Sequence, residues 1–422
     1  MVSDRNLDII VYGATGFTGR LVCKHLSETY LRDQPDGRIR LGIGGRCEQR
    51  LKDLKAQLSL DDQVESFVAD SFDGVALREM CRRTKVLIAL VGPYNVYGDE
   101  LIKSCVESRT HYLDLSGESF WVKRQISRLD FMAKSSGTMI VPTCGFDSVP
   151  ADLNVMVSVK LLKKTLGSEK ALVGSVTSGV RVKGGISGGT FASLIETFDQ
   201  GLKSLIESTS PYHLSPVKGK KTDPSSLVKR EPGLVGGFFI MSPINGAVVR
   251  RTWGLLESSR RSKSEDGEEL SYGDEFSYDE FVITRNYFQA LVISVVFKFF
   301  GLILIFRGFR VLLKRFGPQS GTGPDEKTIR SGWFEYITTA HSVDDTVQVR
   351  VTMKGTKDPG YGWTAICIAE SALALLKNRD KLPGFAKSGG FLTPATGIGE
   401  VLLSRLEDLK VLKITKEVIK DR

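Results

Sequence analysis

Short apolar runs and longer amphipathic stretches alternate along the first third of the chain. Asp8–Tyr12, Arg38–Gly44, Val64–Ala69, Val86–Val91, His111–Leu115 and Thr138–Pro142 read as six strands. Between them, Gly19–Tyr30, Arg50–Leu58, Val75–Arg83, Asp99–Ser108 and Ser119–Ser136 read as helices. Strands alternating with helices of this length predict a parallel sheet with crossover helices. Val86-Leu-Ile-Ala-Leu-Val91 is apolar at every position, the pattern of a strand buried on both faces. Beyond Asp152 the rhythm changes. Leu172–Arg181 and Glu335–Met353 are long and partly alternating, which predicts a second sheet, mixed or antiparallel. Between them lie a Gly/Ser loop at Gly184–Gly189, a helix at Thr190–Leu205 and a polar stretch at Ser208–Pro232. Ser258–Glu280 reads as a charged loop with eight acids. Tyr361–Asn378 and Gly397–Leu409 resume a helical pattern.

Composition narrows the class. The 422 residues are 41% hydrophobic and 25% charged, the balance of a folded globular chain of two or three domains. Six cysteines form no C-x-x-C pair and four histidines no H-x-x-x-H pair, so no disulfide framework and no metal site are expected. Leu7–Val11 is too short and wrongly flanked for an export signal. The net charge is +9, and six cations without an acid fall between Phe281 and Pro324. The basic balance is thus mostly local, and no nucleic-acid-binding module accompanies it.

The first strand runs into Gly13-Ala-Thr-Gly-Phe-Thr-Gly19, and a helix opens there. This context, strand then glycines then helix, marks a dinucleotide pyrophosphate site. The helix N–H groups face the phosphates, and the glycines allow the turn and the close approach. Gly13, Ala14, Thr15, Gly16, Phe17, Thr18 and Gly19 are therefore expected cofactor contacts. NAD sites place an acid at the end of the second strand to bind ribose hydroxyls. Here that place holds Arg46, which can pair with a 2′-phosphate, with Arg50 one turn on. Glu48 is the competitor. The expected cofactor is NADP(H) rather than NAD(H). Asp70, closing the third strand, has two readings: an acceptor for the adenine amino group, or the cap of the next helix. Gly92, Pro93 and Tyr94 follow the fourth strand, where backbone passes close to the cofactor and Tyr94 lies by the nicotinamide. Further clusters follow strands five and six, at Asp114–Glu118 and Cys144–Asp152.

None of the eleven tyrosines has a lysine four residues on, which disfavours the Tyr-x-x-x-Lys reductases. No catalytic residue is established from the sequence. Tyr94 and Asp147 are the candidates, and Asp147 with Ser148 more often reads as a cap of the following helix than as a proton donor and its orienter. Cys144 reads as structural.

These stretches together resemble the saccharopine dehydrogenase-like oxidoreductase family, to which bacterial trans-acting enoyl reductases are related. The likeness rests on residues 13–19, 44–46, 91–98, 114–118 and Val248–Thr252, and on two more specific stretches, 145–153 and Gly389–Ala395. It implies an α/β fold: a Rossmann-type doubly wound parallel sheet, interrupted by an α+β domain with a mixed or antiparallel sheet. The expected division is 1–152 for the NAD(P)-binding domain and 153–360 for a substrate or dimerisation domain. A C-terminal helical segment, 361–422, is expected to pack back on the first. The resemblance also implies association with lipid droplets or other membranes, on their cytosolic face, with cytosol or mitochondrion as the alternatives.

One segment fits that implication on its own terms. Asn286–Phe297 is uncharged and largely apolar, Lys298 interrupts it, and Phe299–Phe306 continues it. The lysine costs a spanning helix about 2.5–3.5 kcal/mol. A surface helix with Lys298 snorkelling is cheaper, and Arg307, Arg310, Lys314 and Arg315 would then meet anionic head groups. A single span and a core or homodimer-interface helix are the other readings of 286–315. The function expected is an NADP(H)-dependent oxidoreductase acting on a lipid-like or other hydrophobic small molecule at a membrane or lipid-droplet surface. A catalytically quiet dinucleotide-binding scaffold, or an amino-acid enzyme of the saccharopine dehydrogenase type, are the alternatives.

Overall fold

The computed structural model describes residues 5–31, 39–60, 62, 64–168, 172–185, 195–196, 198–201, 207, 210–220, 226–263, 269–316 and 323–421. The N-terminal part runs β1 (Leu7–Tyr12), α1 (Phe17–Tyr30), β2 (Leu41–Gly45), α2 (Glu48–Leu58), β3 (Glu65–Val68), α3 (Gly74–Arg82) and β4 (Thr84–Ala89). It continues with a short α4 (Tyr94–Tyr97), α5 (Asp99–Ser108), β5 (His111–Asp114), α6 (Ser119–Ser135), β6 (Met139–Val141) and α7 (Val149–Thr165). The next stretch holds β7 (Val173–Lys183), β8 (Lys229–Glu231), β9 (Leu234–Gly237), α8 (Ser242–Arg261), β10 (Ser277–Ile283), α9 (Tyr287–Leu304), α10 (Arg307–Phe316), α11 (Glu326–Ser331), β11 (Trp333–Ser342) and β12 (Val347–Thr356). Last come α12 (Thr364–Lys377), α13 (Gly384–Lys387), β13 (Gly390–Phe391), α14 (Pro394–Gly397), α15 (Gly399–Asp408) and β14 (Leu412–Asp421).

The first sheet is parallel, in the order β13-β6-β5-β4-β1-β2-β3. All six residues of β1 are buried: its apolar residues sit between two layers of helix, and its one charged residue, Asp8, is paired with Arg40 and Lys85 at 3.0 and 2.9 Å. The second sheet is mixed, in the order β14-β12-β11-β7-β10-β9-β8, with β7 and β10 parallel and the other neighbours antiparallel. The α/β fold with two sheets is therefore as expected.

Several elements differ from the expectation. Glu335–Met353 is a hairpin, not one long strand: β11 and β12 turn at Val343–Thr346. There Asp345 takes φ 55, and the Asp344 carboxylate accepts from the Ser342 hydroxyl at 2.6 Å. Ser258–Glu280 is not all loop, because α8 runs on to Arg261 and β10 begins at Ser277. The C-terminal stretch is not all helix either. β13 adds to the first sheet beside β6, and β14 to the second beside β12. The expected loop at 184–189 and helix at 190–205 fall mostly outside the described residues.

Two helices are buried nearly all round and join the layers. On α7, Asn154 donates to the Tyr336 carbonyl, the Thr338 hydroxyl and the Val351 carbonyl at 3.3, 2.8 and 3.1 Å, pinning the helix to the second sheet. On α12, the fully buried Glu370 accepts from His25, Tyr30 and Arg405 at 2.7, 2.9 and 2.8 Å. A buried carboxylate persists only when so many donors replace its water. The two family-specific stretches meet the 248–252 stretch in one joint. The Asp152 carboxylate accepts from the Thr252 hydroxyl at 2.5 Å and from the Ala395 N–H at 2.8 Å, and Thr393 bonds Thr252 at 2.6 Å. Arg251 donates to the carbonyls of Leu214 and Phe391. These motifs thus fasten α7, α8 and the β13–α14 segment together.

α9 is different from both. Its 18 residues have a mean hydropathy of 2.0, and only 17% of them are buried. It touches the second sheet through small residues: Ser294 accepts from the Phe238 N–H at 2.8 Å and donates to the Leu227 carbonyl at 2.6 Å, beside Ala290 and Gly237. Phe299, Leu302 and Phe306 are 63%, 59% and 69% exposed. Arg310 and Lys314 of α10 do not stand free for head groups as expected: both pair with Asp199, at 2.6 and 2.5 Å. Arg310 also donates to the carbonyls of Leu304 and Ile305, closing the corner between α9 and α10.

Candidate functional site

The loop after β1 has the geometry a pyrophosphate needs. Gly13 has φ +86, and a Cβ there would meet Val91 Cγ2 at 2.7 Å and the Leu90 carbonyl at 2.8 Å. A Cβ on Gly19 would meet the Gly13 carbonyl at 2.2 Å. Both must be glycine: one for its backbone, the other so that α1 can press on the loop. Gly16 differs, because its only close neighbour is the Gly13 carbonyl at 3.2 Å, so its outer side is open. Gly16 caps α1 without a side-chain bond, and no acid stands in the first turn. The N–H groups of Phe17, Thr18 and Gly19 have no partner within the helix, and with the dipole they form an anion site. Ala14 and Phe17 contribute backbone only. The Ala14 methyl is buried, and the Phe17 ring packs edge-on against Tyr361 at 5.3 Å.

The order of the first sheet sets which half of a dinucleotide lies where. It reverses between β1 and β4, so the crevice opens at that point, with the adenosine half toward β2 and the nicotinamide toward β4, β5 and β6. Arg46 stands exposed at the end of β2, close enough to the Tyr12 hydroxyl for its charge to lower that phenol's pKa, against the burial that raises it. It has no ion pair among the described residues. Glu48, the competitor, is held by Lys52 at 2.7 Å. Asp70 is not the cap of α3: Asp73 is, accepting from Val75 and Ala76. The Asp70 carboxylate accepts from the Phe72 N–H at 3.0 Å in the turn before it. These residues fit a 2′-phosphate. Arg46→Ala should therefore weaken NADPH roughly ten- to hundredfold, the size of a lost charge-assisted contact of about 1.5–3 kcal/mol, and leave NADH nearly unchanged in calorimetry.

On the nicotinamide side the sequence reading needs correction. Gly92 and Pro93 lie at the end of β4 as expected, but Tyr94 is a brace. Its ring is 6% exposed, its hydroxyl donates to the Ala89 carbonyl at 3.0 Å, and it accepts from the Leu115 N–H at 3.1 Å. Burial, with the Asp114 charge, pushes its pKa well above the usual phenol range, so it keeps its proton. Glu118 accepts from the N–H groups of Tyr94 and Asn95 and fixes the same turn. The loop after β6 is held by Asp114, whose carboxylate accepts from Ser116 and Thr143 at 2.9 and 3.0 Å. Thr143 takes φ 61, a strained conformation for a β-branched residue that this clamp enforces. Cys144 is buried and its thiol is pushed well above its ordinary value, as a structural cysteine would be.

Asp147 is the group this loop delivers. It is not a helix cap, since Ser148 caps α7 by position only and its hydroxyl turns to Asn245 at 3.3 Å. Asp147 is partly exposed and has no hydrogen-bond partner among the described residues. Desolvation alone raises its carboxyl to about 6. Phe146 seats the loop on the second sheet, with its ring 5.0 Å from Phe334 and 6.0 Å from Tyr336. Behind Tyr336 lies Glu280, missed in the sequence because it was counted with the acids of a charged loop. Its carboxylate accepts from Asn245 at 3.2 and 3.1 Å, and burial raises it to about 8. Asn245 also donates to the Tyr336 hydroxyl at 3.3 Å. A half-open acid thus stands in front of a buried phenol and a buried acid whose carboxyl burial raises to about 8. Such a set can hold and deliver a proton. Among the described residues no cluster of three metal-ligating side chains occurs.

Comparison with known proteins agrees with this geometry. Residues 9–141 match the family model of the saccharopine dehydrogenase NADP binding domain. The Mycobacterium tuberculosis protein Rv2449c carries the trans-acting enoyl reductase name provisionally. It is 33% identical over 95% of this chain and 96% of its own. The trans-acting enoyl reductase of Mycobacterium bovis is 30% identical over 96% of each chain. Among solved structures, apo saccharopine dehydrogenase (L-Glu forming) from Saccharomyces cerevisiae superposes with a TM-score of 0.53 at 11% identity, covering 98% of this chain and 100% of its own. That likeness is one of fold.

Proposed function

The chain belongs to the saccharopine dehydrogenase-like oxidoreductases and binds NADP(H), and from that premise we propose that it reduces an electron-poor double bond in a hydrophobic, acyl-like molecule at a membrane or lipid-droplet surface. Asp147 carries the reading. It is the titratable group that the loop after β6 presents, without a partner among the described residues, on the nicotinamide side of the crevice. Bound NADPH supplies the hydride. The glycine loop and Arg46 hold the dinucleotide, Phe146 and Phe334 keep the neighbouring wall apolar, and Asp147 delivers the proton that completes the reduction. Phe146, Phe334 and Tyr336 form the packing beside Asp147, and among the described residues no cation acts on its carboxyl, whereas a tricarboxylic amino acid would require several, which sets the saccharopine-type chemistry below this reading.

The surface location is supported by α9 and α10. An apolar helix with most of its surface uncovered costs free energy in water, and a lipid monolayer relieves that cost on one side. Lys298, Arg307 and Arg315 flank the apolar face and have no ion pair among the described residues, and they suit anionic head groups. The test is an assay of NADPH oxidation with trans-2-hexadecenoyl thioesters on liposomes, using 4-deuterated NADPH to follow the label into the product. Deuterium at the β-carbon of a saturated acyl product is the expected result. NADPH that binds but is never oxidised would favour the quiet scaffold, and NADP+ reduction by saccharopine would favour the amino-acid enzyme.

A further inference from the structure

A second cavity opens far from the cofactor edge, along the distal half of α7. Its volume is about 510 Å³, within the range of small-molecule sites. Met156, Val159, Leu256, Leu270, Ile398 and Val401 give it apolar walls. Lys160, Lys163, Lys164 and Lys381 also line it, against two acids, Glu269 and Glu400. Lys160 is paired with Glu400 at 2.8 Å, and Lys163 donates to the Glu269 backbone carbonyl at 2.9 Å. Lys164 and Lys381 have neither an ion pair nor a side-chain hydrogen bond among the described residues. One more lining residue is out of balance. Tyr272 is 2% exposed, and its hydroxyl has no partner among the described residues. A buried phenol hydroxyl without a partner is costly, and a bound acceptor would remove the cost.

The cavity is not an arm of the redox site. It shares no residue with the glycine loop or with the Asp147 corner. Lys160–Lys164 lie some 16–22 Å along α7 from its start at Val149, at 1.5 Å per residue. The lining excludes most ligand classes. A polar metabolite would leave the walls unsatisfied, and a cation would meet four lysines.

We propose that this cavity binds a long-chain acyl anion, a molecule with a carboxylate or phosphate head on an apolar tail. Lys164, Lys381 and the Tyr272 hydroxyl supply donors for the head, while Met156, Leu256, Ile398 and Val401 cover the tail. Such a molecule is what a protein resting on lipid would encounter at high local concentration, but the site requires neither that location nor the redox activity.

The test uses the full chain and displacement of cis-parinaric acid fluorescence by palmitate, lysophosphatidate and dodecylamine. Palmitate or lysophosphatidate should displace the probe at one site, and dodecylamine should not. Val401→Trp, which fills the cavity, should weaken palmitate at least tenfold, and Lys164→Glu with Lys381→Glu at least fivefold. The lysine pair is exposed, so this second variant remains informative if the tryptophan variant fails to fold. NADPH affinity, measured on each variant, should not move, which separates failure here from failure of the cofactor reading. A third variant, Phe299→Ser with Leu302→Ser and Phe306→Ser, should bind palmitate like the wild type. Three results overturn the site: unchanged palmitate affinity in both cavity variants, equal binding of dodecylamine, or loss of binding in the α9 variant, which would place the acyl chain on the exposed helix.

Discussion

Replacing Phe299, Leu302 and Phe306 together with serine will strip the protein from liposomes and leave its fold in place. Fully burying a side chain of this size is worth about 1.5–3 kcal/mol. These three are about two-thirds exposed, so each has roughly 1–2 kcal/mol to gain on insertion. The sum, about 3–6 kcal/mol, is two to four powers of ten in partition. Serine removes that gain and costs the soluble fold little, because surface positions that are already exposed tolerate change within about 0.5 kcal/mol. A liposome flotation assay beside a thermal melt reads both quantities. The salt-sensitive part is smaller than six cations suggest, since Asp199 pairs with Arg310 and Lys314 and offsets one of their two charges. Arg307→Gln with Arg315→Gln should weaken attachment by about 1 kcal/mol per charge at low salt. Arg310→Gln should instead loosen the corner between α9 and α10. Wild-type protein that stays in the soluble fraction with both liposomes and droplets would refute the surface reading.

Asp147→Asn should lower kcat by about two to four powers of ten, the usual worth of a positioned acid, with NADPH affinity unchanged. Asparagine preserves shape and hydrogen-bonding capacity but cannot give up a proton. The pH dependence follows from desolvation, which holds the carboxyl at about 6. A proton donor works in its protonated form, so wild-type turnover should fall as pH rises through about 6, and the residual activity of the variant should be flat across that window. Stability moves with the same sign. The unfolded chain ionises Asp147 first, so this residue's contribution is full below the ordinary carboxylate range and is lost as pH rises through about 6. The amide of the variant cannot ionise, so the variant should melt above the wild type at about pH 8 and level with it at about pH 4. A variant with wild-type kcat would return Asp147 to a structural role.

The first sheet was legible because its strands announce themselves. Apolar runs such as Val86–Val91 and glycines at 13, 16 and 19 belong to one local pattern, and each piece lies within a few residues of the next. The NADP(H) cofactor was legible for the same reason, from the glycine loop and the basic residue at the end of the second strand. The surroundings of Asp147, itself a candidate in the sequence, were not legible, because they are assembled from distant segments. Asp147 meets Tyr336 only through the packing of Phe146 on Phe334, nearly two hundred residues away in the chain. Glu280 looks like one more surface acid, since nothing local says that β10 lies between β7 and β9 with Glu280 turned to the buried side. Tyr94 was misjudged because the groups that occupy its hydroxyl are backbone atoms, which a sequence does not display. The hairpin at 343–346 did carry a signal, Asp344-Asp345 between two alternating runs, that should have divided the long strand.

The position of β13 has a consequence for how the chain comes to exist. The first sheet gathers six of its strands by residue 141, but its seventh arrives at Gly390–Phe391, on an edge that β6 otherwise leaves open. At ribosomal rates of about 5–20 residues per second, the 250 residues between Val141 and Phe391 take roughly 12–50 seconds to emerge. During that interval β6 presents an uncovered edge, and β5 and β4 lack α12, the helix that covers them. An exposed parallel edge with apolar faces invites pairing with a neighbouring nascent chain. Synthesis of this protein therefore contains a waiting period in which a holding chaperone has the most to protect. A gene fragment ending near residue 152 would never leave that state, and should be recovered from cells as aggregate rather than as a working dinucleotide binder.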